Sequence, residues 1–233
     1  DELASYTEKL NYESLSDDVI KSAKLFILDF VLSAMAGYKI NKNFGDALVN
    51  VYSELGGNEQ SSVMFYNKKL SAVDAAFLNG AFGHGADIDD GHRSAQGHPG
   101  VVTIPAVLAL AEAYGLKGKD IITAVVAGYE FFIRFGQTVN PYHVEKGFHT
   151  TGTMGTVAAG AAAAKVLGLS TEQIKNTLGF SCMQASGLLE VVESNQMAKV
   201  VNPGKAAANG VFAALLAKTD VKSPVNVIEG RKG

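Results

Sequence analysis

The sequence predicts a predominantly α-helical protein, and three observations indicate this class. The 233 residues are 47% hydrophobic and 18% charged, with 25 glycines and no tryptophan, so a substantial core of small side chains can form. Most long segments carry apolar residues at helical spacing, which is typical of helices with one face in a core. Only residues 61–70 combine a strand-like run with a turn. We therefore expect an all-α architecture with at most one short β-hairpin.

Nine helices are predicted, and capping residues indicate where several of them begin. Ser16 suits the N-cap of the long second helix and Ser71 that of the fourth, while Ser170 and Gln173 form a capping box for the eighth. Pro105 is tolerable in the opening turns of the fifth helix. The nine helices are expected over residues 3–10, 17–37, 45–55, 72–82, 101–114, 119–135, 151–167, 171–186 and 205–217.

The segments between these helices include one hairpin and three long loops. Ser61–Tyr66 and Lys69-Leu70, joined by a two-residue turn, are predicted to be the two strands of the hairpin. Gly83–Gly100, Gln137–Phe148 and Glu190–Pro203 are predicted to be loops, because each is polar or rich in glycine and lacks helical periodicity.

Residues 1–233 are expected to form a single helical domain, since the sequence shows no repeat, low-complexity tract or linker. The helix over Thr151–Leu167 contains almost only Gly, Ala, Thr and Val, so a neighbouring backbone has to approach it closely. The tail Pro224–Gly233 offers no closing element. We therefore expect the chain to be cut off at its C-terminus.

Charge and composition exclude several classes of partner. The formal net charge is −3 and no Lys/Arg run exceeds two residues, which argues against nucleic acid. The longest uncharged apolar run, Gly100–Ala111, is too short to cross a bilayer, and no signal peptide opens the sequence. The single cysteine, Cys182, lies in an apolar segment and fits a reducing compartment. A cytoplasmic protein without nucleic-acid or membrane partners is predicted.

The stretch Gly83–Gly100, GHGADIDDGHRSAQGHPG, is the strongest candidate for a functional site. It contains three of the five histidines, three aspartates and five glycines within a predicted loop. The other two histidines, His143 and His149, lie in one further loop region. A loop dense in titratable groups is a site candidate, because such groups carry acid–base and ligand chemistry.

The residues leave two kinds of chemistry open. Counted from Asp87, glycine stands fifth and His98 twelfth, so the EF-hand pattern fails, although a transition-metal site made of His and Asp stays open. Neither a GxSxG elbow nor a Walker A loop is present. His149, Thr150 and Thr151 at a helix start suit a carboxylate ligand. The remaining possibility is cofactor-free acid–base chemistry beside a carboxylate.

Four motifs resemble those of the MmgE/PrpD family. Asp87-Ile88-Asp89-Asp90 followed by His98-Pro99-Gly100 resembles its DxDD…HPG signature, and Gly147–Thr153 resembles its G-[FW]-H-x-T-G-T motif. Lys199, followed by Gly204 and an alanine-rich run, is similar to its K-R-L-H-x-G-x-A-A-x-x-G motif. The segment Ile27–Gly37 is similar to its LLD…G…AG opening. The motifs occur in order over the whole chain.

The resemblance implies a large all-α domain followed by a smaller α+β lid domain, which we expect to be absent from this sequence. It implies a homodimeric, metal- and cofactor-independent enzyme for small di- or tricarboxylates. The leading expectation is a lyase of the hydro-lyase type, a 2-methylcitrate dehydratase. An epimerase of a dicarboxylate such as iminodisuccinate and a cis-aconitate decarboxylase are alternatives. From other classes, a metal-dependent hydrolase and a non-catalytic helical dimerisation domain remain open.

The resemblance also assigns site residues by motif position. His149 would be general base or acid at the substrate α-carbon, and Lys199 would neutralise a substrate carboxylate. His98, oriented by Asp87, would exchange the second proton. Two positions depart from the family pattern, because Gly91 replaces a common Thr and Asn202 replaces a His. Predicted substrate-binding residues are Gly91, His92, Thr150, Thr151 and Asn202.

Overall fold

Helices dominate the computed structural model, which describes residues 2–194, 197–224 and 226–231. Within these residues there are eleven α-helices, two short 3₁₀ turns and one two-stranded sheet, so the predicted all-α class is confirmed. The helices are α1 Glu2–Lys9, α2 Asp17–Ile40, α3 Lys42–Leu55, α4 Ala72–Gly83, α5 Gly100–Tyr114, α6 Gly118–Val139, α7 Tyr142–Glu145, α8 Thr150–Val166, α9 Thr171–Gln184, α10 Glu190–Glu193 and α11 Val201–Ala217.

The predicted caps set the starts of three helices. The side chain of Ser16 accepts from the Val19 N–H at the start of α2, and that of Ser71 accepts from the Asp74 N–H at the start of α4. Ser170 and Gln173 form the reciprocal capping box of α9. Each cap satisfies a backbone donor that lacks a partner in the first helical turn.

The predicted hairpin is shorter than expected. Strand β1, Ser61–Ser62, pairs antiparallel with β2, Lys69–Leu70, in the register Ser61 with Leu70. Beyond Ser62 the chain turns away from the ladder: the Met64 N–H donates to Asn79 Oδ1, and Phe65 adopts a left-handed φ of 67°. The apolar residues of the run therefore pack against α4 instead of extending the strand.

Two predicted loops contain helical turns. Residues 137–148 include the end of α6 and all of α7, and residues 190–203 include α10 and the first turn of α11. Pro203 fits the first turn of α11, because the N–H groups there have no intrahelical acceptor. Residues 195 and 196 of the second loop, and residues 225, 232 and 233 of the predicted tail, lie outside the described residues.

Helix α8 lies at the centre of the core, against α5, α6, α9 and α11. Its small residues let those neighbours approach closely, as predicted: a Cβ on Gly155 would lie 2.9 Å from a Val102 methyl group, and one on Gly210 would lie 2.5 Å from the Ala159 Cβ. None of the described helices is long and apolar enough to span a bilayer. The packing also brings the starts of α5, α8 and α11 and the end of α4 to one place.

Candidate active site

His84 is the residue that closes α4, and it is buried with 1% of its surface exposed. Helix α4 is apolar along most of its length, so its C-terminal end enters the core and carries this histidine with it. The His84 ring centroid lies 4.8 Å from that of His98 and 6.2 Å from that of His149. Three histidines from two separate loops therefore form one cluster.

Asp89 joins two of these histidines. Its side chain is completely buried, and its Oδ2 lies 3.0 Å from His84 Nδ1 and 2.9 Å from His98 Nδ1. Burial raises the pKa of Asp89, but the hydrogen bonds from the two rings outweigh it and hold the pKa well below its usual range. Asp89 is therefore an ionised acceptor at the floor of the cluster.

His98 is held by two acceptors. Its Nδ1–H donates to Asp89 Oδ2 and to the Asp90 carbonyl, each at 2.9 Å, which leaves Nε2 as the nitrogen that titrates. Burial lowers the pKa of His98. The hydrogen bond to Asp89 and the charge of that carboxylate raise it by more than burial lowers it, so the pKa lies above its ordinary value. The His98 side chain is 27% exposed, so it can meet a ligand.

The expectation that Asp87 orients His98 is wrong. Asp87 Oδ1 instead accepts from Lys199 Nζ at 2.6 Å, and the Asp87 side chain is 63% exposed. The reason is local backbone geometry: Asp87 has a left-handed φ of 54°, and its carboxylate lies at the rim while Asp89 lies inside. Burial raises the pKa of Asp87, but Lys199 outweighs it and lowers the pKa below its usual value.

His149 is the N-cap of α8 and is paired with Asn202. Its backbone N–H donates to the Gly187 carbonyl, and Asn202 Nδ2 donates to His149 Nδ1 at 3.0 Å. Burial, and then the positive groups of His84, Lys199 and His98, lower the pKa of His149 to about 3. His149 is therefore neutral at pH 7 and, with Nδ1 accepting, carries its proton on Nε2.

Asp90 fastens the loop to α5 and α6. Its Oδ1 accepts from the Gly100 N–H at 3.0 Å and its Oδ2 from the Tyr129 hydroxyl at 2.9 Å. Burial raises the pKa of Asp90 to about 6, and the neighbouring Asp89 charge adds to that effect, although both hydrogen bonds oppose it. A carboxyl at the start of α5 is also favoured by the positive end of the helix dipole.

The remaining predicted residues occupy different surroundings. Thr150 and Thr151 are fully buried, and their hydroxyls accept from Asn140 Nδ2 and from the His98 N–H. Their assignment to substrate binding stays a prediction, since their hydroxyls help to hold the loops. His92 accepts from the Ala95 N–H within its own turn. Gly91 is exposed, and a Cβ there would lie 3.8 Å from the His98 ring.

Sequence reasoning left His84 and Asp89 among the possible metal ligands and did not assign them to the acid–base site. Both lie in the highlighted stretch, but only their burial separates them from the exposed Asp87. One signal was present: His84 directly follows an apolar helix, so it had to lie at a buried helix end. Nothing comparable distinguishes Asp89 from Asp87 in the sequence.

A divalent metal could be held by one group of described residues. Donor atoms of His84, Asp89 and His98 lie within 4.8 Å of one another, and imidazole with carboxylate is a suitable ligand set. In the present arrangement both Nδ1 atoms point at Asp89 and donate to it. The geometry is that of a carboxylate shared by two imidazoles.

The charges of the site favour an anionic ligand. Asp87 and Asp89 balance the charges of Lys199 and His98 in this structure, so the helix starts add the decisive positive potential: α5, α8 and α11 begin at the cluster. Helix N-termini attract carboxylates because their N–H groups are free and the dipole is positive there. The cluster thus combines an anchoring cation, an imidazole that is readily protonated and an imidazole that stays neutral.

The comparisons with known proteins agree with the motifs. A protein-family model described as "MmgE/PrpD N-terminal domain" matches residues 1–233 of this sequence. A cis-aconitate decarboxylase-like protein, oryM, of Aspergillus oryzae is 31% identical over 225 residues, which cover 93% of this chain and 46% of that protein.

Two further relatives show the same relation. Cis-aconitate decarboxylase of Aspergillus terreus is 30% identical over 238 residues, which cover 100% of this chain and 48% of the relative. The enzyme of that name from Homo sapiens is 29% identical over 228 residues, which cover 94% of this chain and 46% of the human protein. The chain spans about half the length of the curated relatives it matches.

Proposed function

The chain belongs to the MmgE/PrpD family, and on this premise we propose that it forms the acid–base half of a cofactor-independent lyase. The substrate would be a small di- or tricarboxylate, and the reaction a proton transfer at a carbon beside a carboxylate. The anionic-ligand character of the cluster supports this substrate class. The curated relatives are named as cis-aconitate decarboxylases or decarboxylase-like, and cis-aconitate belongs to the same substrate class.

One observation carries the proposal: His98 and His149 have pKa values shifted in opposite directions within one cluster. Two titratable groups pushed apart by their surroundings indicate an acid–base assignment. His98, backed by the buried Asp89, is the group that can give up a proton from Nε2. His149, neutral with a proton on Nε2, is a hydrogen-bond donor to a developing oxyanion.

This pattern favours decarboxylation over dehydration. Dehydration requires a base that removes a C–H proton. His149, with a pKa of about 3, is a weak base at neutral pH, and Asp89 favours the protonated form of His98, whose pKa is raised. Decarboxylation of a tricarboxylate such as cis-aconitate requires only a donor. The C–C bond to the leaving CO₂ breaks, its electron pair forms a new double bond, and the displaced π pair takes the proton from His98 Nε2.

Lys199 would anchor a carboxylate during this step. Its ammonium group now binds Asp87 at the exposed rim, so a substrate carboxylate can compete for it from solvent. Asn202 would act on the substrate indirectly, by fixing the tautomer of His149. Gly91 leaves space beside the His98 ring and would influence which substituent the site accepts.

We also propose a covering domain and a dimer. Ile88, Phe148 and Leu188, beside the site residues, are exposed by 62%, 42% and 64%, which suits coverage by the part that makes the relatives longer.

Helix α2 carries an apolar stripe whose members are exposed, namely Leu25, Leu28, Leu32 and Met35. The stripe suits pairing with a second copy. The predicted cytoplasmic location stays a prediction.

The test is deuterium incorporation followed by NMR in D₂O, with cis-aconitate, 2-methylcitrate, citrate and N-linked succinates. The full-length natural protein and residues 1–233 alone are compared. Product with deuterium beside a carboxylate is expected from cis-aconitate in the full-length protein, and we expect its rate to fall by about 10²–10⁴-fold in His98→Asn. His143→Asn is the control and should leave the rate unchanged, because the His143 ring binds the Thr153 hydroxyl and stacks on Phe148 instead of joining the cluster.

The other outcomes are distinguishable. Loss of water from 2-methylcitrate, or exchange without net reaction on a succinate, would replace decarboxylation by dehydration or epimerisation. No exchange with any substrate in the full-length protein would contradict the enzyme proposal and leave a non-catalytic helical domain.

A further inference from the structure

His84 is a buried histidine with only one of its ring nitrogens in use. Its Nδ1 lies 3.1 Å from Asp89 Oδ1 and 3.0 Å from Oδ2, while Nε2 has no hydrogen-bond partner among the described residues. A histidine kept only for structure is expected to satisfy both nitrogens, because an unpaired buried polar atom is unfavourable. The Asp89 contact is therefore the feature that requires a histidine here.

We propose that His84 is a positioning residue that acts through Asp89 on His98. The side chain of His84 has no exposed surface, so it cannot reach a substrate. Its Nδ1–H reaches both oxygens of Asp89, which orients the carboxylate so that Oδ2 meets His98 Nδ1. The inference rests on the proposed function for its catalytic consequence, but not for its geometry.

The surroundings of Asp89 show why His98 alone would not hold its carboxylate in place. The carboxylate has no exposed surface, so water cannot replace a lost donor. His98 has a second acceptor ready, the Asp90 carbonyl at 2.9 Å. Without His84 the Asp89 carboxylate would be held less firmly, and the His98 Nδ1–H would bind the neutral Asp90 carbonyl more than Asp89. The protonated His98 ring would then lose part of the stabilisation that an ionised carboxylate gives it.

The other ring nitrogen, Nε2, makes no contact among the described residues that could take the place of the one with Asp89. It lies 4.0 Å from Asp87 Oδ1, which is too far for a hydrogen bond, and Asp87 is already bound to Lys199. A role for His84 through Nε2 would require a partner at that atom. The contact that distinguishes the two nitrogens is the one with Asp89.

Two variants separate the nitrogens of His84. In His84→Asn the amide nitrogen lies near the position of Nδ1, and in His84→Gln it lies near that of Nε2. We expect His84→Asn to keep kcat within about threefold of wild type. His84→Gln and Asp89→Asn should lower kcat by at least about tenfold, up to the full contribution of about 10²–10⁴ that general-acid catalysis makes. KM should change little, because His84 does not touch the substrate.

A second readout does not depend on activity. The His98 Nδ1–H proton is followed by ¹⁵N-edited NMR, where a bond to a carboxylate gives a strong low-field shift. That signal is expected in wild type and His84→Asn, and it should move upfield in His84→Gln and Asp89→Asn. The double variant His84→Gln/Asp89→Asn should be no worse than either single one, because both act through the same contact.

The outcomes decide the proposal in every case. An unchanged His98 signal and kcat in folded His84→Gln would overturn it, and so would an equal loss in His84→Asn and His84→Gln. If His84→Gln does not fold, the signal of Asp89→Asn and the retained signal of His84→Asn still provide the test. If the wild type shows no activity, the proposed function fails while the NMR signal still tests the His84–Asp89–His98 contact.

Discussion

At the residue scale, the site works because neighbouring groups of one chemical type are given different surroundings. Asp87, Asp89 and Asp90 lie within four residues, yet the first pairs with Lys199 at the rim, the second is shared by two imidazoles, and the third caps α5. Their pKa values diverge accordingly, with Asp89 lowered and Asp90 raised to about 6. Burial penalises all three charges, and the kind of donor decides the outcome. Lys199 and the two imidazoles outweigh burial at Asp87 and Asp89, whereas the neutral donors of Gly100 and Tyr129 do not outweigh it at Asp90.

His149 makes the stability of the protein sensitive to acid. Its folded pKa is lowered from 6.5 to about 3, so between these values the unfolded state binds a proton that the folded state does not. The contribution is complete above pH 6.5 and is lost as the pH falls, at about 1.4 kcal/mol per pH unit. Compared with His149→Asn, the wild type should therefore lose stability between pH 6 and pH 4.

The measurement is the free energy of unfolding in urea for both proteins at several pH values. Asp90 acts in the opposite sense, because its raised pKa favours the folded state as the pH falls toward 4, and it is present in both proteins. The difference between the proteins isolates His149. A difference that does not change with pH would contradict the assigned shift.

Gly91 stands where the family often has Thr, and the structure has space for that side chain, so Gly91→Thr tests whether residue 91 faces the substrate. A Cβ there meets its nearest atoms at 3.8 Å, in the His98 ring, which is ordinary van der Waals contact. Gly91→Thr should therefore fold with a free energy of unfolding within about 0.5 kcal/mol of wild type. We expect its hydroxyl to change KM among the carboxylates of the panel. Equal KM values across the panel would show that residue 91 does not face the substrate.

At the element scale, close approach of helices to α8 positions the cluster. The Gly210 Cα in α11 leaves no room for a side chain, since a Cβ would lie 2.5 Å from the Ala159 Cβ and 2.5 Å from the Gly160 nitrogen. Gly210→Ala should destabilise the protein by about 1–3 kcal/mol through overpacking.

The matched control for this substitution is Gly118→Ala. Gly118 lies in the first turn of α6, and a Cβ there would have no atom within 4 Å. It should leave stability unchanged or raise it by about 0.4–1 kcal/mol. Thermal unfolding of both variants tests the pair, and equal effects would show that α11 does not approach α8 as described.

Helix positions could be predicted from the sequence because caps act locally. Ser16, Ser71 and Ser170 bind donors three residues away, and a local pattern reveals them. The site residues could be predicted only in part. Which aspartate faces inward depends on the left-handed φ of Asp87 and on how the stretch folds to bring His84 and His98 against Asp89. The extension of α6 to Val139 was missed because its end packs on Ala95, a distant contact.

At the scale of the whole molecule, the reaction we propose needs no metal, and this can be tested by removing metal. Extensive dialysis against EDTA should leave both the melting temperature and the rate unchanged. Added Zn²⁺ should inhibit, because it would take donor atoms of His84, Asp89 and His98 from their hydrogen bonds. A stoichiometric metal in the purified protein, with activity that EDTA abolishes, would instead support the metal-dependent hydrolase.

The largest-scale prediction concerns α2. Leu25, Leu28, Leu32 and Met35 follow a 3–4–3 spacing and are exposed by 55%, 53%, 50% and 39%, so they form one stripe on the outside of the helix. Antiparallel pairing about a two-fold axis would set Leu28 against Leu32 of a second copy.

Replacing Leu28 and Leu32 by Glu should therefore give a monomer with an unchanged circular dichroism spectrum, because the stripe is not part of the core. Light scattering after size exclusion at micromolar concentration measures the mass. The control is Leu55→Glu, an equally apolar and more exposed residue of α3, at 73%, which should leave a dimer. A wild-type monomer, or a double variant that stays dimeric, would show that this stripe does not pair two copies. Because α2 also packs against α4, which ends at His84, loss of the dimer together with loss of activity would link assembly to the site.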